Sequence, residues 1–439
     1  MRKFLIITLT KVITAILRLF GKNAGNLPGS LAIKCDKNIF SYFKISGKVI
    51  AVTGTNGKTM TNNCIARLFQ DSGQKVISNL QGNNMETGIL SIFIKNCSLT
   101  GKIKADYLIL ETDESYVPVV YQKIPLDCLV VLNFFRDQLD RNGEMETLIL
   151  KIQKFLETYT GNLVLNADDP NVSRLAKANA ENKNIFFYSV DKCAESTEEL
   201  HEAAEGTYCP FCQTKLQYEY YQYAHVGRFE CQNCHYGKEK IYNLLTDINV
   251  DEGTFKIDKE EYKTKYDSLY AFYDLAAAIA VAKLYKLPKE NVKQTIQEFI
   301  LNNGRLEKLE VNNCKTIINL AKNPTGANVS LKFMKKDQDK KELLFVLNDN
   351  VADGKDVSWI WDIDFGNLEN VERIITAGTR PYDIAIRIKT AGYPQEKIIP
   401  CTTLKEAVQK LYETKNSKYI IANYTAIQNV RKEIENFKV

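Results

Sequence analysis

Short apolar runs recur along the first 170 residues of the chain and alternate with segments whose apolar residues are spaced as on a helix. Such runs indicate strands that are buried on both faces. The predicted strands are VIAV at 49–52, KVIS at 75–78, DYLIL at 106–110, DCLVVLN at 127–133 and NLVLN at 162–166. Their alternation with helices predicts an α/β fold with a parallel sheet.

The alternation stops at about 206–240 and returns with a helix-like segment from Tyr270. A second series of predicted strands comprises KTIIN at 315–319, ELLFVL at 342–347, RIITAG at 373–378 and KYIIAN at 418–423. We therefore expect three parts. These are an N-terminal segment at 1–45, an α/β domain at 46–304 with an insertion at 206–240, and a second α/β domain at 305–439.

The first predicted strand leads into the turn GTNGKT, and a helix is predicted from Thr59 to near Gly73. A glycine-bearing turn at a helix N-terminus presents backbone N–H groups and a partial positive charge to an anion. The Lys58 ammonium can reach the outer phosphates of a nucleotide, and the Thr59 hydroxyl can bind Mg²⁺. The candidate nucleotide-binding residues are Gly54, Thr55, Asn56, Gly57, Lys58 and Thr59. The alternative is an ordinary βα turn with an exposed lysine.

Polar side chains also follow two other predicted strands. Glu111 comes directly after DYLIL, and Asn166 ends NLVLN before the turn ADDP. Because the carboxyl ends of parallel strands meet at one edge of a sheet, ligands are expected there. Glu111 is a candidate Mg²⁺ ligand with Asp113 in support, and the alternative is a solvated loop carboxylate.

Composition is ordinary for a globular protein of 439 residues, but the net charge of +5 is unevenly distributed. Residues 1–22 carry five basic residues and no acidic one, which accounts for the whole excess. On a helix, Lys11, Arg18 and Lys22 lie within about 20° of one line, and apolar residues cover most of the rest. The segment is therefore predicted to be a basic amphipathic helix.

Lys11 and Arg18 divide the apolar stretch of this helix, which argues against a signal peptide and against a membrane-spanning segment. Two alternatives stay open. The helix packs on the protein's own core, or it contacts anionic lipid at the inner face of the cell membrane. Most of the eleven cysteines are scattered singly in a long chain, which indicates a reducing, cytoplasmic compartment.

Two C-x-x-C pairs lie in the insertion at 206–240 and are separated by eighteen residues. This spacing is typical of a structural zinc site with four thiolates. The predicted zinc ligands are Cys209, Cys212, Cys231 and Cys234. Tyrosines at 218, 220, 221 and 223 lie between the pairs, but without a basic cluster they do not predict nucleic-acid binding.

Several of these stretches together resemble the Mur ligase family, ATP-dependent enzymes that join amino acids to cell-wall peptide precursors. The matches are GTNGKT at 54–59, Glu111, RDQLDRNGE at 136–144, NADDP at 166–170 and NNGRLE at 302–307. The resemblance implies that ATP phosphorylates a carboxylate and that an amine attacks the resulting acyl phosphate. Lys58, with Mg²⁺ on Thr59 and Glu111, would neutralise the phosphoryl charge. Asn166 and Arg305 would contact the nucleotide.

The resemblance also implies the fold. We expect a Mur ligase-like central P-loop ATPase domain with a parallel sheet and an inserted four-cysteine zinc ribbon, followed by a C-terminal Rossmann-like α/β domain. The uridine-binding domain of typical members has no counterpart before the first strand. This departure, the ribbon and the segment NDNVADGKDVSWIWD at 348–362 resemble one branch of the family. The substrate implied for that branch is lipid II, whose D-glutamate α-carboxyl becomes an amide.

The source of ammonia is predicted to be a second protein. A glutamine-hydrolysing cysteine needs a histidine base, and the histidines at 201, 225 and 235 all lie in or beside the ribbon. The resemblance implies a GatD-type glutaminase as the partner subunit. An aspartate of this chain would orient the partner's histidine. Asp356 is the first candidate and Asp353 the second, and the alternative is a loop carboxylate that caps a turn.

Two other functions share parts of this pattern. A folylpolyglutamate synthase-like ligase would use the same phosphate loop and an acyl phosphate, but would need neither a zinc ribbon nor a glutaminase. A non-catalytic ATP-binding scaffold would need the phosphate loop alone. ADP release that depends on both ammonia and lipid II would separate the three.

Overall fold

The structure, a computed structural model, describes residues 2–19, 25–80, 82–136, 145–200, 205–301, 307–350, 353–366 and 368–437. The chain divides into two compact units, the first ending at residue 301 and the second beginning at residue 302. Of the described residues before 302, Phe135, Arg136 and Met145 are grouped with the second unit. The boundary predicted at 305 falls outside the described residues.

Helices and strands alternate up to residue 177, as the apolar pattern predicts, and the described elements from residue 185 to residue 263 are strands before helices return at residue 269. The helices are α1 (Arg2–Leu19), α2 (Leu27–Cys35), α3 (Lys58–Asp71), α4 (Glu86–Asn96), α5 (Val117–Tyr121), α6 (Met145–Leu156), α7 (Pro170–Ser173), α8 (Leu269–Leu284) and α9 (Lys289–Glu298). Short 3-10 helices span Ile39–Tyr42, Glu114–Tyr116 and Arg174–Lys177.

All five predicted strands of this unit form, and others join them. The strands are β1 (Lys44–Ile45), β2 (Lys48–Thr53), β3 (Val76–Ser78), β4 (Lys102–Ile103), β5 (Tyr107–Glu111), β6 (Cys128–Val131), β7 (Asn162–Asn166), β8 (Ile185–Val190), β9 (Gln217–Tyr223), β10 (Val226–Glu230), β11 (Ile241–Asn249), β12 (Thr254–Ile257) and β13 (Glu260–Lys263). β1 pairs with β4, and β9 with β10 forms an antiparallel hairpin.

The main sheet of this unit has nine described strands in the order β13-β12-β11-β8-β7-β6-β2-β5-β3. The strands from β11 to β3 run parallel, which confirms the predicted parallel sheet. β12 and β13 extend it as an antiparallel edge. The apolar runs did not predict this edge, because TFKI and EEYK carry the polar residues of an exposed edge strand.

The register of the central strands places their carboxyl ends together. Val52 of β2 is opposite Glu111 of β5, and Thr53 is opposite Val131 of β6. Leu165 of β7 is opposite Val131 in turn. The loops after β2, β5, β6 and β7 therefore leave the sheet at one edge, where open α/β sheets bind their ligands.

The N-terminal helix α1 packs on α2 and α4. It buries Ile6, Ile7 and Thr10, and the Lys11 ammonium donates to the Cys97 carbonyl over 2.7 Å. Docking on the protein's own core, one of the two alternatives for this helix, is therefore observed. No helix in the described part of the chain is long and apolar enough to cross a membrane.

The second unit is a smaller α/β domain, as predicted. Its elements are β14 (Glu307–Val311), β15 (Cys314–Leu320), α10 (Pro324–Lys336), β16 (Lys341–Val346), a 3-10 helix (Ser358–Asp362), β17 (Val371–Ala377), α11 (Pro381–Thr390), a 3-10 helix (Gln395–Lys397), β18 (Ile398–Pro400), α12 (Leu404–Leu411), β19 (Ser417–Ala422) and α13 (Ala426–Phe437). The sheet order is β14-β15-β19-β16-β17-β18, with only β14 antiparallel among these strands. Two apolar clusters, one on each face, hold α10 with α11 and α12 with α13.

Buried charges tie together the amino ends of the strands in this second sheet. Glu342 is fully buried and accepts from Arg373 over 2.9 Å, while the fully buried Lys418 ammonium lies 3.8 Å from the same carboxylate. Burial lowers the pKa of Lys418 despite that carboxylate. Arg373 also pairs over 2.8 Å with Glu413, whose side chain is 52% exposed.

We expect Glu342→Ala to destabilise the second unit by about 3–5 kcal/mol, because the buried Lys418 and the partly buried Arg373 lose the carboxylate that they share. Glu413→Ala removes a carboxylate from the same arginine at the surface and should cost about 1 kcal/mol or less. Both tryptophans, Trp359 and Trp361, lie in this unit, so tryptophan fluorescence during urea unfolding reports on it selectively. Equal losses of unfolding free energy for the two variants would contradict the role of Glu342 as the buried counter-charge.

Candidate active site and metal centre

The predicted phosphate loop, residues 54–59, connects β2 to α3 and is shaped by two glycines with positive φ. Gly54 has φ +132° and Gly57 has φ +88°. A Cβ on Gly57 would overlap the carboxylate of Asp274 on α8, which would have to move, and the positive φ of this residue also favours glycine. The first N–H groups of α3, which have no intrahelical partner, therefore begin at the carboxyl edge of the sheet.

Asn133, two residues beyond β6, holds the loop in this shape. Its side-chain oxygen accepts from Asn56 N–H over 2.8 Å, its amide donates to the Asn56 carbonyl over 3.1 Å, and its carbonyl accepts from Thr55 N–H over 2.9 Å. Thr55 and Asn56 thus brace the loop through their main chain, and direct nucleotide contact by either stays a prediction. The sequence analysis did not identify Asn133 as a residue of the site. The signal was an amide side chain directly after an apolar strand on this edge.

Lys58 is buried and turned into the loop that it follows. Its ammonium donates to the Gly54 carbonyl and to the Thr55 carbonyl over 3.3 Å, and it pairs with Glu114 over 3.1 Å. Burial alone would lower the pKa of Lys58, but the neighbouring carboxylates, Glu114 above all, outweigh it and raise that pKa. The lysine is therefore held in its cationic form at the phosphate loop. Glu114 was not predicted, because the pairing joins residues 56 positions apart.

Glu111 ends β5 with one carboxylate oxygen engaged and the other facing the loop. Oε1 accepts from the Asn84 amide over 3.0 Å. The Asn79 side chain bonds both the N–H and the carbonyl of Glu111 over 2.8 Å each. Oε2 is buried and has no hydrogen-bond partner among the described residues. Since a buried carboxylate oxygen needs a partner, Oε2 is suited to a cation.

The Thr59 hydroxyl borders the same space as this oxygen. A Cβ placed on Gly82 would lie 3.6 Å from Glu111 Oε2 and 3.8 Å from Thr59 Oγ1. Oxygen ligands from a hydroxyl and a carboxylate at the start of a phosphate-loop helix fit Mg²⁺. The two predicted magnesium ligands are therefore brought together. Asp113 has a different role from this pair. Its carboxylate accepts from the Ser115 N–H over 3.1 Å and caps the start of a 3-10 helix.

Asn166 and the turn after it form hydrogen bonds with the residues that follow β6. The Asn166 amide donates to the Leu132 carbonyl over 3.0 Å and accepts from Asp168 N–H over 3.0 Å. Asp169 accepts from Phe134 N–H over 2.9 Å. These bonds hold the loops after β6 and β7 to each other. A nucleotide contact by Asn166 stays a prediction, and Arg305 lies outside the described residues.

The four predicted zinc ligands converge, with their Sγ atoms all within 4.8 Å of one another. Sγ of Cys209 is 3.5 Å from Sγ of Cys234, and Sγ of Cys212 is 3.4 Å from Sγ of Cys231. A tetrahedral zinc with Zn–S bonds of about 2.3 Å separates its sulfurs by about 3.8 Å. The cluster therefore has the dimensions of a closed four-thiolate site.

The two C-x-x-C turns have the same backbone bonding, which is the expected form of paired knuckles. In the first, Cys209 carbonyl accepts from Gln213 N–H over 3.0 Å, and in the second, Cys231 carbonyl accepts from His235 N–H over 2.8 Å. Gln213 and His235 both have positive φ. Among the described residues, the apolar cluster around the sulfurs is small and comprises Cys209, Leu216, Phe229, Cys231 and Tyr236, with Cys212 and Tyr218 at its margin. Such a small core favours a metal as the main source of stability.

The ribbon is anchored to the turn that follows β7. His225, at the tip of the β9–β10 hairpin, is fully buried with Nε2 3.4 Å from Asp169 Oδ1, and this carboxylate raises the pKa of His225 against the effect of burial. Gly227 N–H donates to the Asp168 carbonyl over 2.9 Å. The tyrosines between the knuckles pack inward, and the rings of Tyr218 and Tyr221 stack 4.2 Å apart.

In the second unit, the two candidate aspartates differ in their surroundings. Asp353 is buried and accepts from both the N–H and the hydroxyl of Thr425, the former over 2.8 Å. Asp356 is half-buried and accepts from Ser358 N–H over 2.8 Å. That N–H lowers the pKa of the Asp356 carboxyl. Asp353 therefore braces the loop after β16, whereas Asp356 presents an ionised carboxylate nearer the surface.

Known proteins resemble the chain in both units. Residues 52–246 match the Mur ligase middle domain, and residues 320–427 match the MurT ligase C-terminal domain. The lipid II isoglutaminyl synthase (glutamine-hydrolyzing) subunit MurT of Staphylococcus aureus (strain COL) is 34% identical over 97% of this chain and 96% of its own length. The protein of the same name from Streptococcus pneumoniae is 33% identical over 92% and 91%.

Solved structures share the fold at lower identity. A pseudomurein peptide ligase type C from Methanothermus fervidus matches with a TM-score of 0.70 at 22% identity, covering 93% of this chain and 84% of that one. MurF ligase from Thermotoga maritima in complex with ADP matches with a TM-score of 0.59 at 15% identity, covering 95% and 85%. With identity of about one third to the curated relatives over nearly the whole length, the chain belongs to the MurT family of Mur ligases.

Proposed function

We propose that the chain is the ligase subunit of a two-subunit enzyme that amidates lipid II. It would activate the α-carboxyl of D-glutamate in the stem peptide as an acyl phosphate and convert it to D-isoglutamine with ammonia. The observation that carries this proposal is the meeting of Lys58, Thr59 and Glu111 at one sheet edge, in a chain one third identical to proteins named for this activity.

The chemistry has two balanced steps. A carboxylate oxygen of the substrate attacks the γ-phosphorus of ATP, and ADP leaves with the electron pair of the broken P–O bond. Ammonia then attacks the acyl carbon, phosphate leaves with the oxygen that formed the mixed anhydride, and the nitrogen loses a proton to give the amide. The first step gathers negative charge on the phosphoryl group, so a fixed cation lowers its barrier.

The residues suit this demand. The Lys58 ammonium, held cationic beside Glu114, would face the phosphoryl oxygens once it leaves its loop carbonyls. Thr59 and Glu111 would hold Mg²⁺, which supplies charge neutralisation on the phosphates. Asn79 and Asn84 orient the Glu111 carboxylate, and Asn133 keeps the loop open for the α3 N-terminus.

Ammonia would come from a GatD-type glutaminase as the partner subunit. In this chain, His225 is buried against Asp169 and His235 pairs with Glu230, so both described histidines serve the ribbon. Asp356 would complete the partner's cysteine–histidine pair by orienting the histidine, because its carboxylate is ionised and half-buried, with hydrogen bonds from Ser358 that fix its position. Asp353 is the weaker candidate, since Thr425 engages both its oxygens.

ADP release by the purified complex tests the function directly. We expect release that requires both lipid II and ammonium, with one amide formed for each ADP. Release with a folate polyglutamate acceptor and none with lipid II would favour a folylpolyglutamate synthase-like ligase. ATP binding without turnover on either acceptor would favour a scaffold, and both outcomes would overturn the proposal.

Lys58→Met combined with Glu114→Gln is expected to lower ammonium-driven amidation about a thousandfold or more, because the phosphoryl charge loses its fixed cation. Removing both charges together avoids leaving Glu114 unpaired in a buried site. Lys256→Met with Asp247→Asn, which removes an exposed ion pair on the β11–β12 edge, serves as the matched control and should keep most of the activity. Thermal unfolding checks that all variants fold. Wild-type turnover in the folded double variant would remove Lys58 from the mechanism.

One zinc per chain is expected on the four ribbon thiolates, contributing about 10 kcal/mol or more to the folding of this segment. Cys209→Ser with Cys231→Ser should lose the zinc and expose residues 206–240 to protease. Cys35→Ser with Cys193→Ser, two thiols outside the cluster, is the matched control and should keep it. Metal analysis by mass spectrometry decides, and zinc retained by the first variant would contradict this assignment.

Asp356→Asn should lower glutamine hydrolysis by the complex about a thousandfold, because an amide cannot stabilise the partner's imidazolium. Ligation with free ammonium should survive, and an asparagine oxygen can still accept from Ser358 N–H, so the turn is kept. Asp364→Asn is the matched control, since Asp364 also accepts from an N–H two residues on, that of Gly366. Co-elution shows that the complex is intact. If ligation fails with ammonium as well, Asp356 belongs to the ligase site.

A further inference from the structure

The outward face of α1 is apolar, which is the reverse of a surface helix on a globular protein. Its side chains are 48 to 85% exposed at five positions, Leu5, Leu9, Val12, Ile16 and Leu19. At 100° per residue these five positions span about 80° of the helix circumference. The residues therefore form one continuous apolar stripe, which we call the α1 stripe.

The inward side of α1 is already satisfied by the protein's own core. Ile6 and Ile7 are buried, and the Thr10 hydroxyl donates to the Ile6 carbonyl over 2.8 Å. The cations lie beside the docked side, where Lys3 donates to the Asn38 carbonyl over 3.1 Å and Lys11 to the Cys97 carbonyl over 2.7 Å. Docking therefore accounts for one side of the helix and leaves the α1 stripe unexplained.

Charge indicates what covers the stripe. Residues 1–35 contain six basic residues and no acidic one. A second copy of this segment would add basic residues and no acidic one, so the pairing would gain no attraction between opposite charges. A surface of anionic phospholipid instead attracts a segment of positive net charge and accepts apolar side chains between its headgroups.

We propose that α1 lies flat on the anionic leaflet of a membrane, with the α1 stripe inserted among the lipid chains and the positive charge of residues 1–35 held close to the headgroups. The helix is docked through its other side, so the stripe is presented as a rigid surface without folding on binding. The purpose of this contact rests on the proposed function, since it would hold the ligase next to a lipid-linked substrate.

Flotation of the full-length protein with vesicles tests the contact without ATP or lipid II. We expect binding to phosphatidylglycerol vesicles and little binding to phosphatidylcholine vesicles, with weakening as salt is raised. Leu9→Gln with Ile16→Gln should reduce binding to phosphatidylglycerol about tenfold or more, because two inserted apolar side chains are lost. Glutamine keeps the helix propensity.

Leu150→Gln is the matched control, because Leu150 is 54% exposed on α6 and Leu9 is 57% exposed on α1. This variant should bind vesicles like the wild type. Wild type that fails to float with phosphatidylglycerol vesicles, or a double variant that floats as well as the wild type, would overturn the proposal.

The rival occupant is a partner helix, because the stripe repeats at intervals of four and three residues, as in a coiled-coil seam. A wild-type dimer in light scattering that becomes monomeric in the double variant would assign the stripe to a second copy and reject the membrane. If flotation fails, ADP release with lipid II in detergent is still expected. The membrane contact and the proposed ligase function can therefore fail separately. If both hold, the double variant should raise the KM for lipid II in vesicles while leaving turnover in detergent unchanged.

Discussion

The shared register of β5, β2, β6 and β7 is the constraint on which the site depends. Parallel pairing brings the carboxyl ends of these four strands to one edge of the sheet. Residues that are distant in the chain therefore become neighbours there. A glycine-bearing loop, a carboxylate and two amide-bearing turns then meet there. The bonds of Asn133 and Asn79 convert this proximity into a fixed arrangement.

Two glutamates at this edge have different roles. Glu114 takes the Lys58 ammonium, which lets a lysine stay protonated in a buried place, while Glu111 keeps one oxygen without a partner among the described residues beside Thr59. A second chain of contacts runs from Phe134 through Asp169 to His225 at the ribbon tip. The ribbon thereby braces the turn after β7, so a metal held by the four thiolates would be connected through these contacts to the carboxyl edge of the sheet.

Prediction from sequence succeeded where one local pattern determines the outcome. Continuous apolar runs predicted the parallel strands, and C-x-x-C spacing predicted the thiolate cluster. It failed where the role of a residue depends on partners that are distant in the sequence. Glu114, Asn133 and the polar strand β13 are examples, since none of them has a periodic signal. Helical periodicity showed that α1 is amphipathic, but only packing revealed that part of its apolar surface faces outward.

Transfer of oxygen from substrate to phosphate tests the central claim, that this edge activates a carboxylate by phosphorylation. The complex would be given lipid II whose D-glutamate α-carboxyl carries ¹⁸O, together with ATP and ammonium, and the released phosphate would be analysed by mass spectrometry. We expect one ¹⁸O in each phosphate for each amide formed, because the anhydride oxygen leaves with phosphorus. Amide formation with unlabelled phosphate would contradict the account.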